Sequence, residues 1–232
     1  EKVLGPDYDK SAFTPPYNPW EQRLCLVPDN DLFEAMKSGR ASIVTGQIAK
    51  FERDGVRLQS GELLPADIVV TATGLRLAIA GKVKVSLAGK PVDLSQRYYY
   101  KGCMFSNLPN LAVVFGYLNA SWTLRADINS EFICRVLNYM QKTGANLATP
   151  VLTPQAEAQL VEDDLFDFSS GYIQRGKQIM PKSATEYPWR LNQEYLFDRK
   201  VLREGAVDDG ILAFTLAGAN ARTAEEQLEA AE

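Results

Sequence analysis

The chain has 232 residues, 46% of them hydrophobic, with 25 Lys and Arg against 29 Asp and Glu, and contains no His. Such a composition builds a sizeable globular core, which excludes disordered, collagen-like and disulfide-stapled classes. A formal net charge of −4 without a basic cluster argues against a nucleic-acid partner; the lack of His removes Ser-His-Asp and Cys-His catalysis, HExxH metalloproteases and His-ligated zinc.

Residues 1 to 30 are broken by Pro6, Pro15, Pro16, Pro19 and Pro28, which fix φ and extend the residues before them, so an ordered loop is expected. Asp31 and Glu34 have the spacing of a capping box and Gly39 supplies a stop, which predicts a helix from about Leu32 to Ser38. A β-meander follows: a strand over Ala41 to Thr45, a second over Ile48 to Glu52, a turn at Asp54-Gly55, and a third over Val56 to Gln59. Asp67 to Val70 is an unbroken apolar run of the kind buried on both faces in a parallel sheet, and it leads into Thr71-Ala72-Thr73-Gly74.

Leu111 to Phe115 reads as another buried strand, Gly116 to Ser121 as a turn. Leu124, Ile128, Phe132, Val136, Leu137 and Met140 then recur at helical spacing. Asn119 or Ser121 can cap that helix, and Lys142 and Gly144 end it. Beyond Pro150 the pattern weakens into an aromatic-rich segment with Tyr172, Tyr187, Trp189, Tyr195 and Phe197, expected to be packed but irregular. The Ala- and Glu-rich tail from Ala219 reads as a solvated terminus. Cys25, Cys103 and Cys134 form no CxxC, so neither a metal cage nor a local redox pair is expected, and a reducing, cytoplasmic compartment fits. The apolar runs fall well short of the roughly 20 residues a membrane span needs. The chain opens on Glu1, and its first residues read as the middle of a longer sequence, so an N-terminal address could have preceded them.

Two places suit a ligand. Small residues after the Ile68 to Val70 run let a backbone come close, with Gly74 free to adopt a φ closed to others, although many strands end in Thr-Gly for structural reasons alone. The helix starting at Ser121 to Thr123 aims unpaired N–H groups and a positive dipole end forward, which suits an anion or polarised oxygen. Trp122 at such a start more often packs into a core than against a cofactor.

Together these segments resemble a known family. Phe13-Thr14-Pro15-Pro16-Tyr17-Asn18-Pro19-Trp20-Glu21-Gln22-Arg23-Leu24-Cys25, Val27-Pro28-Asp29, Asp31-Leu32-Phe33 and Ala66 to Leu75 closely resemble the flavin-containing and Baeyer-Villiger monooxygenases. Gly116 to Leu124 and Ser170-Gly171-Tyr172-Ile173-Gln174-Arg175 extend the resemblance to about residue 214. It implies an α/β flavoprotein with two nested, Rossmann-like dinucleotide-binding domains, the outer for FAD and the inner for NADPH. The family's FAD-binding GxGxxG, its FxGxxxHxxxW fingerprint and its NADPH-binding glycines do not occur here. The chain is therefore expected to be a C-terminal half: residues 1–74 from the NADPH domain, 75–148 from the FAD domain, and 149–232 a C-terminal extension. Such a half is expected to be inactive alone and to expose apolar faces meant for other strands.

The resemblance implies an NADPH- and FAD-dependent monooxygenase that inserts one atom of O2 into an organic substrate through a C4a-peroxyflavin, with a ketone going to an ester as the first choice. Arg23 is the implied catalytic residue, because a fixed guanidinium favours the anionic peroxide and the oxyanion formed on a carbonyl. Gln22 and Trp20 are placed as neighbours that shape the loop or touch the nicotinamide; Thr73 and Gly74 near the crossing between domains; Asn119, Ser121, Trp122 and Thr123 against the flavin. Ala12 departs from the family, where His often precedes Phe-Thr-Pro, and Gly171, Tyr172 and Arg175 are taken as structural. N- or S-oxygenation is the runner-up. A His-dependent disulfide reductase is disfavoured, and a non-catalytic half-protein serving as scaffold or partner is the remaining reading.

Overall fold

The computed structural model describes residues 3–6, 8–18, 21–22, 27–118, 120–165 and 169–216, and the chain divides into two compact units, Glu1–Leu75 and Arg76–Glu232. Both mix helices with small sheets, all antiparallel among the described residues.

In the first unit, α1 spans Asp31–Lys37 as the sequence predicts, but the capping box does not form. Asn30, at φ 58°, is the N-cap and its side chain makes no capping bond; Asp31 is already inside the helix. The meander is β1 (Ile48–Glu52), β2 (Gly55–Leu58) and β3 (Leu63–Pro65), paired in that order. Gly55 is required: its φ is +153°, and a Cβ there would lie 2.0 Å from the Leu64 carbonyl oxygen. Arg57 grips Glu52 with two hydrogen bonds of 2.9 and 2.8 Å, and these, followed by the one from Lys50, hold the Glu52 carboxyl at about 2.

Two strand expectations fail here. Residues 41–45 form no strand, because the meander's bonding begins with the Gln59 N–H to the Gln47 carbonyl and no described strand pairs with the stretch before it. The Ile68 to Val70 run forms no strand with any of the described residues, and Ile68 is 82%, Val69 46% and Val70 84% exposed. An apolar run buries itself only when strands exist beside it and layers cover it, and the described residues of this unit supply neither. Leu58 is their one buried apolar side chain.

The second unit carries the core. Its hairpins are β4 (Val85–Leu87) with β5 (Lys90–Val92) and β6 (Tyr99–Tyr100) with β7 (Met104–Phe105). The expected strand at 111–115 reduces to one bridge from Ala112 to Met104, and its side chains are half-buried or, at Val114, exposed. A single edge contact on β7 cannot draw it into a sheet. Next comes α2, Trp122–Thr143, closing on Gly144 at φ 74° as expected. Ile128, Asn129, Phe132 and Val136 form its inward stripe, the spacing that places side chains on one helical face.

The rest of the unit packs onto this frame. β8 (Leu147–Pro150) pairs with β11 (Leu212–Thr215), and β9 (Glu162–Asp163) with β10 (Ser183–Ala184). Three short helices intervene: α3 (Pro154–Glu157), α4 (Gly171–Gly176) and α5 (Tyr195–Arg203). Trp189, 5% exposed, meets Tyr98 and Tyr100 edge-on with ring centroids 6.4 and 5.5 Å away. Each such burial stabilises the fold by about 1.5–3 kcal/mol. Arg135 on α2 donates to the carbonyls of Leu202 at 2.5 Å and Gly205 at 2.6 Å, satisfying the otherwise open end of α5. The aromatic-rich region is thus more regular than expected, with Tyr172 on α4 and Tyr195 and Phe197 on α5, and only partly packed: Trp189 is buried, whereas Tyr187 and Phe197 are each 38% exposed. The Ala- and Glu-rich tail lies outside the described residues.

Candidate functional site

Gly116 to Leu118, Ser121 and the first turn of α2 make up the candidate site. Gly116, Tyr117 and Leu118 are buried, whereas Ser121, Trp122 and Thr123 are exposed. Ser121 sits at the N-cap but its hydroxyl makes no capping bond; it pairs instead with the Thr123 hydroxyl at 2.9 Å. No Asp or Glu stands in the first turn. The helix start therefore presents amide donors, two hydroxyls and the positive dipole end, unquenched by a local carboxylate. Trp122 is 43% exposed and rests against Phe115 with centroids 4.7 Å apart, so it is a surface ring and not a core one. Gly116 permits this: a Cβ there would meet the Trp122 ring at 2.2 Å and its Cα at 2.7 Å.

Beneath the site lies a buried polar cluster. Tyr117 donates its hydroxyl to Asp198 Oδ2 at 2.6 Å, and Arg125 Nη1 lies 3.3 Å from the same oxygen. Arg125 also donates to the Asn192 carbonyl, and its guanidinium lies 5.0 Å from the Tyr117 ring centroid. Burial raises the Asp198 carboxyl from its ordinary value, against the lowering effects of Arg125 and of hydrogen bonds from Tyr117 and Asn192. Burial, then the bond to Asp198, raises Tyr117, keeping it a hydroxyl donor. Asn129 donates to the Gly102 carbonyl at 2.9 Å, and a Cβ at Gly102 would meet Arg125 Nη2 at 2.4 Å. Sequence reading passed over Arg125 and Asp198. The available signal was Arg125 itself, a cation on the stripe of Ile128, Phe132 and Val136, where a charge survives only with a buried partner.

Of the residues expected to serve function, Ser121, Trp122 and Thr123 come together at the start of α2. Gln22, half-buried, and Thr73 and Gly74, both exposed, belong to the first unit; Gly74 takes a φ of +102°, which suits the close approach expected of it. Trp20, Arg23 and Asn119 lie outside the described residues. Two clefts of the second unit, one of about 230 Å³ beside Glu162, Asp164 and Lys177 and one of about 410 Å³ beside Tyr139, Asp208 and Phe214, contain none of these residues. Among the described residues no cluster of His, Cys, Asp or Glu could hold a metal, and no helix is long and apolar enough to cross a membrane.

Relatives give the site its context. The chain is 47% identical over 215 residues, 92% of its length, to the "Probable FAD-binding monooxygenase AlmA" of Acinetobacter baylyi, of which it covers 43%. It is 48% identical over 88% of its length to the FAD-containing monooxygenase EthA of Mycolicibacterium smegmatis, covering 41% of that protein. The chain is homologous to the FAD-containing monooxygenases. The EthA of Mycobacterium tuberculosis is 45% identical over the same 92% of the chain. The chain spans less than half the length of these monooxygenase relatives. No family model matches it, and no solved structure matches it significantly.

Proposed function

We propose that this chain is the C-terminal part of an FAD- and NADPH-dependent monooxygenase that converts a ketone to an ester. The observation that carries this reading is the 45–48% identity to FAD-containing monooxygenases along about nine-tenths of the chain. In this reading residues 1–74 complete an NADPH-binding domain, 75–148 an FAD-binding domain of Rossmann type, and 149–232 a C-terminal extension. The Ile68 to Val70 run, apolar and exposed on both faces, then becomes a strand in a parallel sheet whose other strands come from outside these 232 residues.

The start of α2 fits a flavin. Its amides, the Ser121 and Thr123 hydroxyls and the dipole would hold a polar or anionic edge of the cofactor, and no first-turn carboxylate repels it. FAD, once reduced by NADPH, supplies the activation of O2; overall, ketone, O2, NADPH and a proton give ester, NADP+ and water. Within this chain, Arg23 would donate to the carbonyl oxygen of the substrate and favour negative charge there, a role its permanent cation suits. Gln22 would orient the nicotinamide, and Thr73 and Gly74 would let backbone approach the cofactors.

The test joins the chain behind the flavin-binding portion of the Acinetobacter baylyi relative and assays a panel of ketones, amines and sulfides. Flavin absorbance and NADPH-dependent ester formation, lost in Arg23→Ala, are expected. Oxygenation at nitrogen or sulfur alone transfers the assignment to the runner-up reaction, and ester formation that survives Arg23→Ala removes Arg23 from the mechanism. Stoichiometric FAD on the 232-residue chain by itself would overturn the division into halves.

A further inference from the structure

We infer that Tyr117, Arg125 and Asp198 are positioning residues which together fix the orientation of residues 116–118 and of the α2 start. In its consequence for flavin, the inference rests on the reading that this helix start faces the cofactor.

The α2 start has little of its own to hold it. The Ser121 hydroxyl makes no capping bond, and residues 121–124 are exposed. What fixes the turn comes from behind, and from far along the chain. Asp198 on α5 accepts the hydroxyl of Tyr117, which precedes the helix start, and pairs with Arg125, which follows it by one turn. One carboxylate oxygen thus ties down both sides of the turn. The same C-terminal stretch adds the Asn192 carbonyl as a second acceptor for Arg125 and the Gln193 side-chain oxygen as acceptor for the Leu118 N–H at 3.0 Å. Arg125 and Asp198 are 1% and 3% exposed, and Tyr117 is fully buried.

Net stability is a poor account of such a cluster. Desolvating two charges costs about as much as their attraction returns, and apolar residues of similar volume generally serve as well. Direction is what the polar version adds: each bond has one donor, one acceptor and one workable angle, and networks of this kind select a single arrangement. Gly102 agrees with this, since any side chain there would displace the guanidinium.

Amide hydrogen exchange on the 232-residue chain, with Tyr117→Phe and Asp198→Asn, tests the inference. Each substitution keeps the side chain's shape; Tyr117→Phe removes the bond to Asp198, and Asp198→Asn removes the negative charge that Tyr117 and Arg125 share. In Tyr117→Phe, exchange over residues 116–124 is expected to quicken about tenfold, the equivalent of one strong hydrogen bond, while exchange over 128–136 stays unchanged; in Asp198→Asn, which also leaves Arg125 without its counter-charge, exchange is expected to quicken more over 116–124 than over 128–136. Leu212→Ala, a general core weakening, should instead quicken both regions together. Unchanged exchange at 116–124 in the two variants, or an equal rise in both regions, overturns the inference. FAD affinity of the joined polypeptide, with and without Tyr117→Phe, separates the two claims. Local loosening with about tenfold weaker FAD binding supports both, whereas local loosening with unaltered FAD binding keeps the positioning role and overturns the flavin-facing reading.

Discussion

Lys101 Nζ lies 2.9 Å from Asp209 Oδ2, joining the hairpin between β6 and β7 to the entrance of β11. The ammonium is also flanked by the rings of Tyr100 and Phe132, with centroids 5.2 and 5.0 Å away. Tyr100 donates to the same Asp209 oxygen at 2.6 Å, and the other oxygen accepts the amides of Ile211 and Leu212. Lys101 adopts a φ of 48°, uncommon for a residue with a side chain, in the tight turn between β6 and β7.

Asp209→Asn should therefore cost about 3 kcal/mol at neutral pH, because the Lys101 ammonium stays buried without its counter-charge. Burial acts to raise the Asp209 carboxyl, but hydrogen bonds from Tyr100, the Leu212 amide and Lys101 outweigh it and hold it below its ordinary value. A depressed carboxyl stabilises the fold fully above its unfolded value of about 3.9 and loses that contribution as pH falls through the lower folded value. Urea midpoints of the two proteins should differ at pH 7 and converge in acid. A difference that is constant with pH contradicts this account.

Asp198→Ala should destabilise by about 3–5 kcal/mol, since it strands the Arg125 guanidinium in the core. Adding Arg125→Met should recover most of the loss. A double-mutant cycle by denaturant titration reads the coupling, and simple additivity would mean that the two side chains do not act as a pair.

Gly116→Ala should expel the Trp122 ring from its place on Phe115, because the new methyl group coincides with it. The indole resonance of Trp122 in an NMR spectrum is the direct monitor, and an unshifted signal would refute the contact.

Thiol labelling of the folded chain should modify Cys134 and spare Cys103. Cys134 is exposed, whereas Cys103 is wholly buried and burial pushes its thiol up to about 12, despite the lowering effect of Arg125 and Lys101. Peptide mapping after brief alkylation separates the two, and Cys103 should react only once the chain is unfolded.

Ile68→Lys and Val70→Lys should leave the stability of the 232-residue chain within about 0.5 kcal/mol, as expected where a side chain is already in water. The same substitutions should abolish folding or flavin uptake of the polypeptide joined to a flavin-binding portion. Normal uptake would show that these residues do not enter a sheet.

Legibility from sequence follows the range of the interactions. α2 was readable from its spacing and from Gly144, because both signals lie within the helix, and the meander from Asp54-Gly55 and the alternation around it. The Ile68 to Val70 run announces β geometry and a demand for cover, but whether the cover is present depends on other strands. The α2 start was legible as a donor-rich surface, whereas the polar cluster under it joins Tyr117 and Arg125 to Asn192 and Asp198 across a long separation. Local patterns carry no trace of that pairing beyond one misplaced cation.

The bare Ile68 to Val70 segment has a consequence for how the chain behaves in solution. A β-prone apolar run without ladder partners among the described residues, its side chains largely in water, is the combination that recruits identical segments edge to edge. Self-association should therefore rise with concentration, be relieved by a charge at residue 68 or 70, and compete with the heterologous pairing that the same edge is suited to make.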